Sequence, residues 1–354
     1  MRLSSEYREL ADEETDVRIR EALAILDDDV VILGHHYMPM EVIRHAHHRG
    51  DSLALSRQAA ETKKASYIVF CGVDFMAETA AMLCSSEQKV ILPPGSAPCP
   101  MARMITLEEA QFAWERLTTL WGNDIVPITY QNSTAAVKAF CGRHGGAVCT
   151  SSNAQALMRW AFRKKGHILF TPDENLGTNS ALALGISRSE IAIWDPDDPP
   201  NEDVSLSSAR VVVWKGYCSV HTDFTVKHVE TIRAEYPGIS VIVHPECRPE
   251  VVAQADISGS TALIVRMVEE AGSGAQFAIG TEVNLVDRLA LEHRDKTVVP
   301  LYRSLCRTMS LNTPRNLLYV LEKIMGGEPV NVVTVDQETK YWANLALEEM
   351  LKAK

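Results

Sequence analysis

Apolar residues in this chain gather into short unbroken runs, and the runs recur in three groups of three. The first runs of the groups read VVILGHHY (30–37), DIVPITYQNS (124–133) and ISVIVHPEC (239–247). The second runs read SYIVFCGVDFMAET (66–79), HILFTPDENLGTN (167–179) and QFAIGTEVNLVDR (276–288). The third runs read KVILPPGSAPC (89–99), RVVVWKGYC (210–218) and TVVPLYRSLC (297–306), each ending on a cysteine. Runs without polar alternation predict strands buried on both faces, the habit of parallel sheets. Helical periodicity fills the intervals at 53–64, 76–85, 107–120, 153–165, 262–271 and 285–293. A polar opening helix precedes the first run, and two further helices, at 314–325 and 337–351, return across the surface. Strand and helix in alternation predict right-handed βαβ units and an α/β class.

The threefold recurrence predicts three units related by a pseudo-threefold axis, with boundaries near Thr106 and near Tyr236–Pro237. The expected domains are 1–106 with the opening helix, 107–236, and 237–354 with the C-terminal helices. Segment 194–205, rich in Pro and Asp, and segment 141–148, with two adjacent glycines, are expected loops.

Composition narrows the class of function. At 354 residues the chain exceeds one core, and 46% hydrophobic with 23% charged residues is ordinary for a globular protein. A net charge of −11 without a basic stripe argues against nucleic-acid binding. No apolar run approaches the roughly 18 residues of a membrane span, and no signal-peptide core is present, so no membrane association is expected. Eight cysteines in such a chain lead to the expectation of reduced thiols in the cytoplasm. There is no CxxC pair, so any metal site must be assembled from distant segments.

A threefold arrangement would bring Cys99, Cys218 and Cys306 to one point. Three thiolates leave one corner of a cubane cluster, or one position of a tetrahedral metal, without a protein ligand, as catalytic metals require. Zinc with three cysteines usually recruits a histidine, and His221 could serve, so the residues alone leave the metal open. Cys71, within a strand, and Cys84, in a helix, read as small core residues. Cys141 falls in the second expected loop.

Ligands of parallel sheets collect beyond the carboxyl ends of strands. His35, His36, Tyr37, Tyr130, Asn132, His221, His244 and Glu246 all fall there, whereas His45, His47 and His48 lie in a polar segment expected at the surface. His244 and Glu246 form a candidate acid/base pair. Tyr37, Tyr130 and Asn132 could donate to substrate oxygens or simply line a polar pocket. GDS (50–52), TSSN (150–153) and GST (259–261) follow the first strands and open helices. Their hydroxyls either cap free backbone N–H groups or mark three helix N-termini that bind phosphate or carboxylate.

The strings GHHYMPMEV, GDSLALS, IVFCGVDFMAETAAML, ITYQNSTAAVKA, CTSSNA, LFTPDENLG, WKGYCSVH, VIVHPEC, DISGSTALI and IGTE, in this order from about Val30 to about Leu311, resemble the quinolinate synthase family of bacterial NAD biosynthesis. The resemblance implies three pseudo-symmetric αβα sandwich domains with short parallel sheets around a central active site. It implies a [4Fe–4S] cluster on Cys99, Cys218 and Cys306, with an open iron acting as Lewis acid. The substrates it implies are iminoaspartate and dihydroxyacetone phosphate, with quinolinate, phosphate and water as products. Substrate-binding positions carried over are His35, Ser52, Tyr130, Asn132, Ser151 (or Ser152), Ser260 and Thr261, and the proton-transfer candidates are Glu246, His244, His221 and Tyr37. Transient contact with L-aspartate oxidase, which makes iminoaspartate, is a further expectation. GHHYM stands where AHHYQ or a close variant is usual. Arg303, three before Cys306, stands where some members carry a cysteine, so no thiol–disulfide switch is expected there. A zinc lyase and an iron–sulfur sensor are the rival readings. A sensor would need neither anion-binding helix ends nor tyrosines at strand ends.

Overall fold

The computed structural model describes residues 3–200 and 204–353. It is an α/β structure with three sheets flanked by helices. Two compact units form: the chain up to Cys99 with Leu305–Asp336, and Pro100–Ser304 with the chain from Gln337 onward.

The first unit contains one sheet, in spatial order Val332–Val333, Lys89–Ile91, Tyr67–Cys71, Val30–His35 and His48–Gly50. The second unit contains two. One runs Ala147–Cys149, Ile125–Tyr130, His167–Thr171, Val211–Trp214 and Ile191–Trp194; the other runs Ile257–Ser258, Ser240–Val243, Gln276–Gly280 and Thr297–Pro300. Every pairing is parallel except Val332–Val333 against Lys89–Ile91, where Val332 lies opposite Ile91.

One order repeats in all three sheets. The first, second and third apolar runs lie side by side, and a short strand edges the first run. The strands form where the runs predicted them because both faces are covered. Ile125–Tyr130 is buried at every residue, as is Val211–Trp214. Each such Val or Ile contributes about 1.5–3 kcal/mol on burial, so register is firmly held. Phe224, Val241, Val243, Cys247, Ala278 and Leu301 make the core on one face of the third sheet.

The short edge strands, His48–Gly50, Ala147–Cys149 and Ile257–Ser258, correct the sequence reading in one respect. The hydroxyl motifs follow these edge strands, not the first-run strands. Between the two lie the helices Met40–Ile43, Ala135–Arg143 and Pro249–Val252.

Other local expectations are also corrected. The opening helix is two helices, Ser5–Arg8 and Asp12–Leu26. The loop expected at 141–148 shrinks to the turn 144–146. Cys141–Arg143 finish a helix, and Ala147 begins a strand. Of the loop expected at 194–205, residues 201–203 lie outside the described residues, and a short helix, Val204–Ser207, begins before its expected end. His45 is buried, not solvated, with Nε2 3.1 Å from Asp16 Oδ1. His47 is held through Nδ1, which accepts from Ile32 N at 2.8 Å.

The C-terminal helices serve different units. Pro314–Met325, capped by Thr313, packs on Asp12–Leu26, where Glu322 accepts from Tyr7 Oη (2.6 Å) and Arg18 Nη2 (2.7 Å). Gln337–Lys352 packs on Ala135–Arg143 in the second unit, so closely that a Cβ on Gly142 would sit 1.8 Å from the Trp342 carbonyl oxygen. Asn153 Nδ2 donates to Met350 O at 3.0 Å in the same contact.

Candidate active site

Three chain segments of the second unit converge on one buried carboxylate. Strand Ser240–Val243 ends in a turn, closed by Cys247 N donating to His244 O (3.0 Å), that presents His244 and Glu246. Strand Gln276–Gly280 ends at Thr281. Strand Val211–Trp214 leads through Cys218 into the short helix Ser219–Thr222, which carries His221. Two bonds to Met104 steady that approach: Trp214 Nε1 donates to its carbonyl at 2.7 Å, and Tyr217 N to its sulfur at 3.3 Å.

Glu246 Oε2 lies 2.6 Å from His221 Nδ1 and 3.2 Å from His244 Nδ1. The two imidazoles stack, with centroids 4.3 Å apart and planes 18° apart. His221 Nε2 is 3.1 Å from Thr281 Oγ1, which completes a carboxylate–imidazole–hydroxyl chain. All four residues are buried, and Glu246 Oε1 takes no hydrogen bond among the described residues.

Electrostatics divide the labour. Burial, then the neighbouring His244, pull the His221 pKa down, which favours the neutral ring. Burial acts to raise the Glu246 carboxyl, but the two imidazoles lower it by more and hold it below the usual carboxylate range. Asp173 is wholly buried; burial first, and then the charge of Glu246, push its carboxyl well up. Its Oδ1 accepts from Leu176 N at 2.5 Å, and its Oδ2 has no partner among the described residues. Two buried carboxyls that feel each other's charge, one pushed up and the other held down, form a pattern suited to proton transfer.

Other expected residues of this unit stand at strand ends. Tyr130 closes Ile125–Tyr130 and is buried; Asn132 follows, half-buried, with Oδ1 enclosed and unbonded among the described residues. Ser151 is half-buried and Ser152 exposed. Ser260 caps Thr261–Glu270, its Oγ accepting from Leu263 N at 3.4 Å, and Thr261 is the first residue of that helix.

In the first unit, His35 is buried at the end of Val30–His35, and its Nδ1 accepts from Tyr37 N at 3.2 Å. Its ring meets that of Tyr37 edge-on, at 4.7 Å and 79°. Ser52 opens Ser52–Glu61, but the cap is Asp51, whose Oδ1 accepts from Ala54 N at 2.9 Å. Thr308 Oγ1 donates to Pro98 O at 3.2 Å and so ties the segment of Cys306 to that of Cys99.

The eight cysteines sort by exposure. Cys71, Cys84, Cys141, Cys149 and Cys247 are buried; Cys99, Cys218 and Cys306 are half-exposed. Burial pushes the Cys71 thiol up to about 12 and raises Cys141, Cys149 and Cys247 as well. A thiolate ligand must ionise, so these four are poor donors. Cys84 is buried as well, which leaves Cys99, Cys218 and Cys306 as the accessible sulfurs, and soft thiolates are the donor type that iron–sulfur clusters take. Cys218, His221 and Glu246 also present one ligand atom each within 4.8 Å of one another, a mixed set a single metal ion could use.

Thr281, Asp173 and Asn179 escaped the sequence reading, although their motifs, IGTE and PDENLGTN, lie in the second apolar runs. The signal was a polar residue just past a strand end, repeated in both runs.

The family model described as quinolinate synthetase A protein matches residues 18–352. Proteins named quinolinate synthase from Bacillus anthracis, from Bacillus cereus strain AH187 and from Bacillus thuringiensis subsp. konkukian are each 47% identical over 353 residues, covering 99% of this chain and 96% of theirs.

Proposed function

The chain belongs to the quinolinate synthase family, and we propose that it condenses iminoaspartate with dihydroxyacetone phosphate, losing phosphate and water, to form quinolinate in the cytoplasm for de novo NAD biosynthesis. The observation that carries the catalytic reading is the buried Glu246 carboxylate, shared by His221 and His244.

Cys99, Cys218 and Cys306 would hold a [4Fe–4S] cluster, which when bound supplies an iron without a protein ligand as a Lewis acid for dehydration. Their exposure and soft sulfur chemistry support that assignment over the five buried cysteines.

Glu246 is the principal proton-transfer group. Its Oε2 is engaged by two imidazoles, which leaves Oε1 as the atom that takes up and returns a proton. His221, fixed between Glu246 and Thr281, and His244 relay or orient that proton, and Tyr37 is a further donor. Tyr130 and Asn132 orient the bound intermediate. Ser52, Ser151 and Thr261, at helix starts, receive phosphate and carboxylate oxygens on hydroxyls and free backbone N–H groups. His35 contributes a donor beside Tyr37. Ser260 uses a lone pair to cap its helix and keeps its proton to donate to substrate. L-Aspartate oxidase is the transient partner that hands over iminoaspartate.

Anaerobically reconstituted protein, supplied with iminoaspartate and dihydroxyacetone phosphate, should form quinolinate and carry about four irons and four sulfides. Absence of quinolinate from cluster-loaded protein would overturn the activity. Stoichiometric zinc in place of iron would move the metal to Cys218, His221 and Glu246.

A further inference from the structure

Glu246 sits in a turn of the third sheet's layer, yet the side chain that grips this turn comes from the second sheet's layer. Asn179, on helix Glu174–Ala183, donates through Nδ2 to Pro245 O at 2.9 Å and to Cys247 O at 2.8 Å. These are the carbonyls of the two residues that flank Glu246. Asn179 is 8% exposed, so neither bond is readily replaced by water. The same helix is capped by Asp173, whose carboxyl feels the charge of Glu246.

The rest of the turn is held from the other side. His244 N donates to Gly280 O at 3.0 Å, and Cys247 is buried in the third sheet's core with its sulfur 3.8 Å from the same carbonyl. Those contacts fix the ends of the turn to its own sheet. Inside the turn, Cys247 N donates to His244 O at 3.0 Å and Glu246 N donates to His244 Nδ1 at 3.4 Å, a long bond that restrains the Glu246 backbone only weakly. The two shorter bonds that grip it from another layer come from a single amide, with one N–H on each flanking carbonyl.

We propose that Asn179 is a positioning residue for Glu246: its amide clamps the two flanking carbonyls and aims the carboxylate at His221. The inference rests on the proton-transfer role given to Glu246 above. Asn179 itself touches no reacting atom. Aspartate or serine at this position offers one donor at most, so one carbonyl is released and the carboxylate loses its bearing on His221. A misplacement of about 1 Å in a catalytic group costs on the order of a hundredfold in rate.

The experiment is a double-mutant cycle on cluster-loaded holoenzyme, with Asn179→Ser, Glu246→Gln and the double variant, each assayed for kcat, for KM of both substrates and for iron content. The expected result is a fall in kcat of tenfold or more for Asn179→Ser, with KM within about threefold and iron unchanged. In the Glu246→Gln background, Asn179→Ser should cost nothing further, because its whole effect passes through Glu246. Additive losses would make Asn179 a structural staple and overturn the proposal. So would normal kcat in Asn179→Ser alongside a crippled Glu246→Gln. Normal kcat in Glu246→Gln would instead overturn the assignment of Glu246, and the clamp's purpose with it. Should Asn179→Ser not yield folded holoenzyme, Asn179→Asp, nearly the same volume with at most one donor, is read by the same criteria.

Discussion

Glu246 Oε2 and His221 Nδ1 stand 2.6 Å apart, both buried, with the far side of the imidazole on the Thr281 hydroxyl. A carboxylate this close to Nδ1 favours the proton on that nitrogen, and Glu246 Oε1 is the carboxylate oxygen left without a hydrogen bond among the described residues. Glu246→Gln keeps the shape and can still accept from His221 through its amide oxygen, but it cannot take up a proton. Turnover should fall about a hundredfold or more, as for the loss of an acid/base group. Iron content and KM should be nearly unchanged. Steady-state kinetics on anaerobic holoenzyme check this; a loss confined to KM would reduce Glu246 to a binding group.

Asp173 provides a pH-dependent test of the same charge arrangement. Its folded-state pKa is raised, by burial first and by the charge of Glu246 second. In the unfolded chain the carboxyl ionises near 3.9. Above that pH the native state therefore binds more protons than the unfolded state, so this group's contribution to stability is lost as pH rises toward the folded pKa. Asp173→Asn keeps Oδ1 to cap Leu176 N and cannot ionise. The variant should gain stability relative to the parent between pH 5 and pH 8, as measured by urea unfolding. A difference that stays constant over that interval would mean that Asp173 is already ionised in the native protein.

What was legible in the chain follows from range of interaction. The nine apolar runs became strands because burial on both faces is written into each run. The cysteines at the ends of the third runs differ from the expected core pair in exposure: Cys71 ends a strand and Cys84, expected within a helix, stands just past helix Asp74–Leu83, both buried, while Cys99, Cys218 and Cys306 are half-exposed. The edge strand His48–Gly50 was not legible: two of its three residues are exposed, so no apolar run marks it. His45 looked solvated because its partner, Asp16, lies on the preceding helix. Thr281 and Asp173 carry only the faint signal of a polar residue just past a strand end, and Asn179, within helix Glu174–Ala183, carries none. Each acquires its role only when strands from different parts of the chain place it beside His221, Glu246 or the Glu246 turn.

The turn at 144–146 was misread as a longer loop for a related reason: Cys141–Arg143 are helical because Gln337–Lys352 lies over them. Gly142→Ala would place a Cβ 1.8 Å from Trp342 O and 2.8 Å from its carbonyl carbon, so backbone must move. Overpacking of this kind costs about 1–3 kcal/mol, and at about 2–4 °C per kcal/mol the thermal midpoint should fall by several degrees. Gly272→Ala, where nothing lies within 4 Å of the added carbon, is the control and should change little. Equal midpoints for the two variants would show that the C-terminal helix does not press on Gly142.

The cysteine assignment makes the broadest demand on the molecule. Cys99, Cys218 and Cys306 are half-exposed, while burial disfavours the thiolate of Cys71 and Cys141. A hydroxyl is a hard, weakly acidic ligand and a poor substitute for thiolate on iron–sulfur cores. Cys99→Ser, Cys218→Ser and Cys306→Ser should each lose most of the iron and sulfide that anaerobic reconstitution installs. Cys71→Ser and Cys141→Ser should load normally, even though a hydroxyl buried without a partner costs about 1–3 kcal/mol of stability. Circular dichroism before reconstitution separates failure to fold from failure to bind. Full iron and sulfide in a folded Cys99→Ser, Cys218→Ser or Cys306→Ser protein would remove that cysteine from the ligand set. Loss of iron from folded Cys71→Ser or Cys141→Ser would place a buried thiol in it.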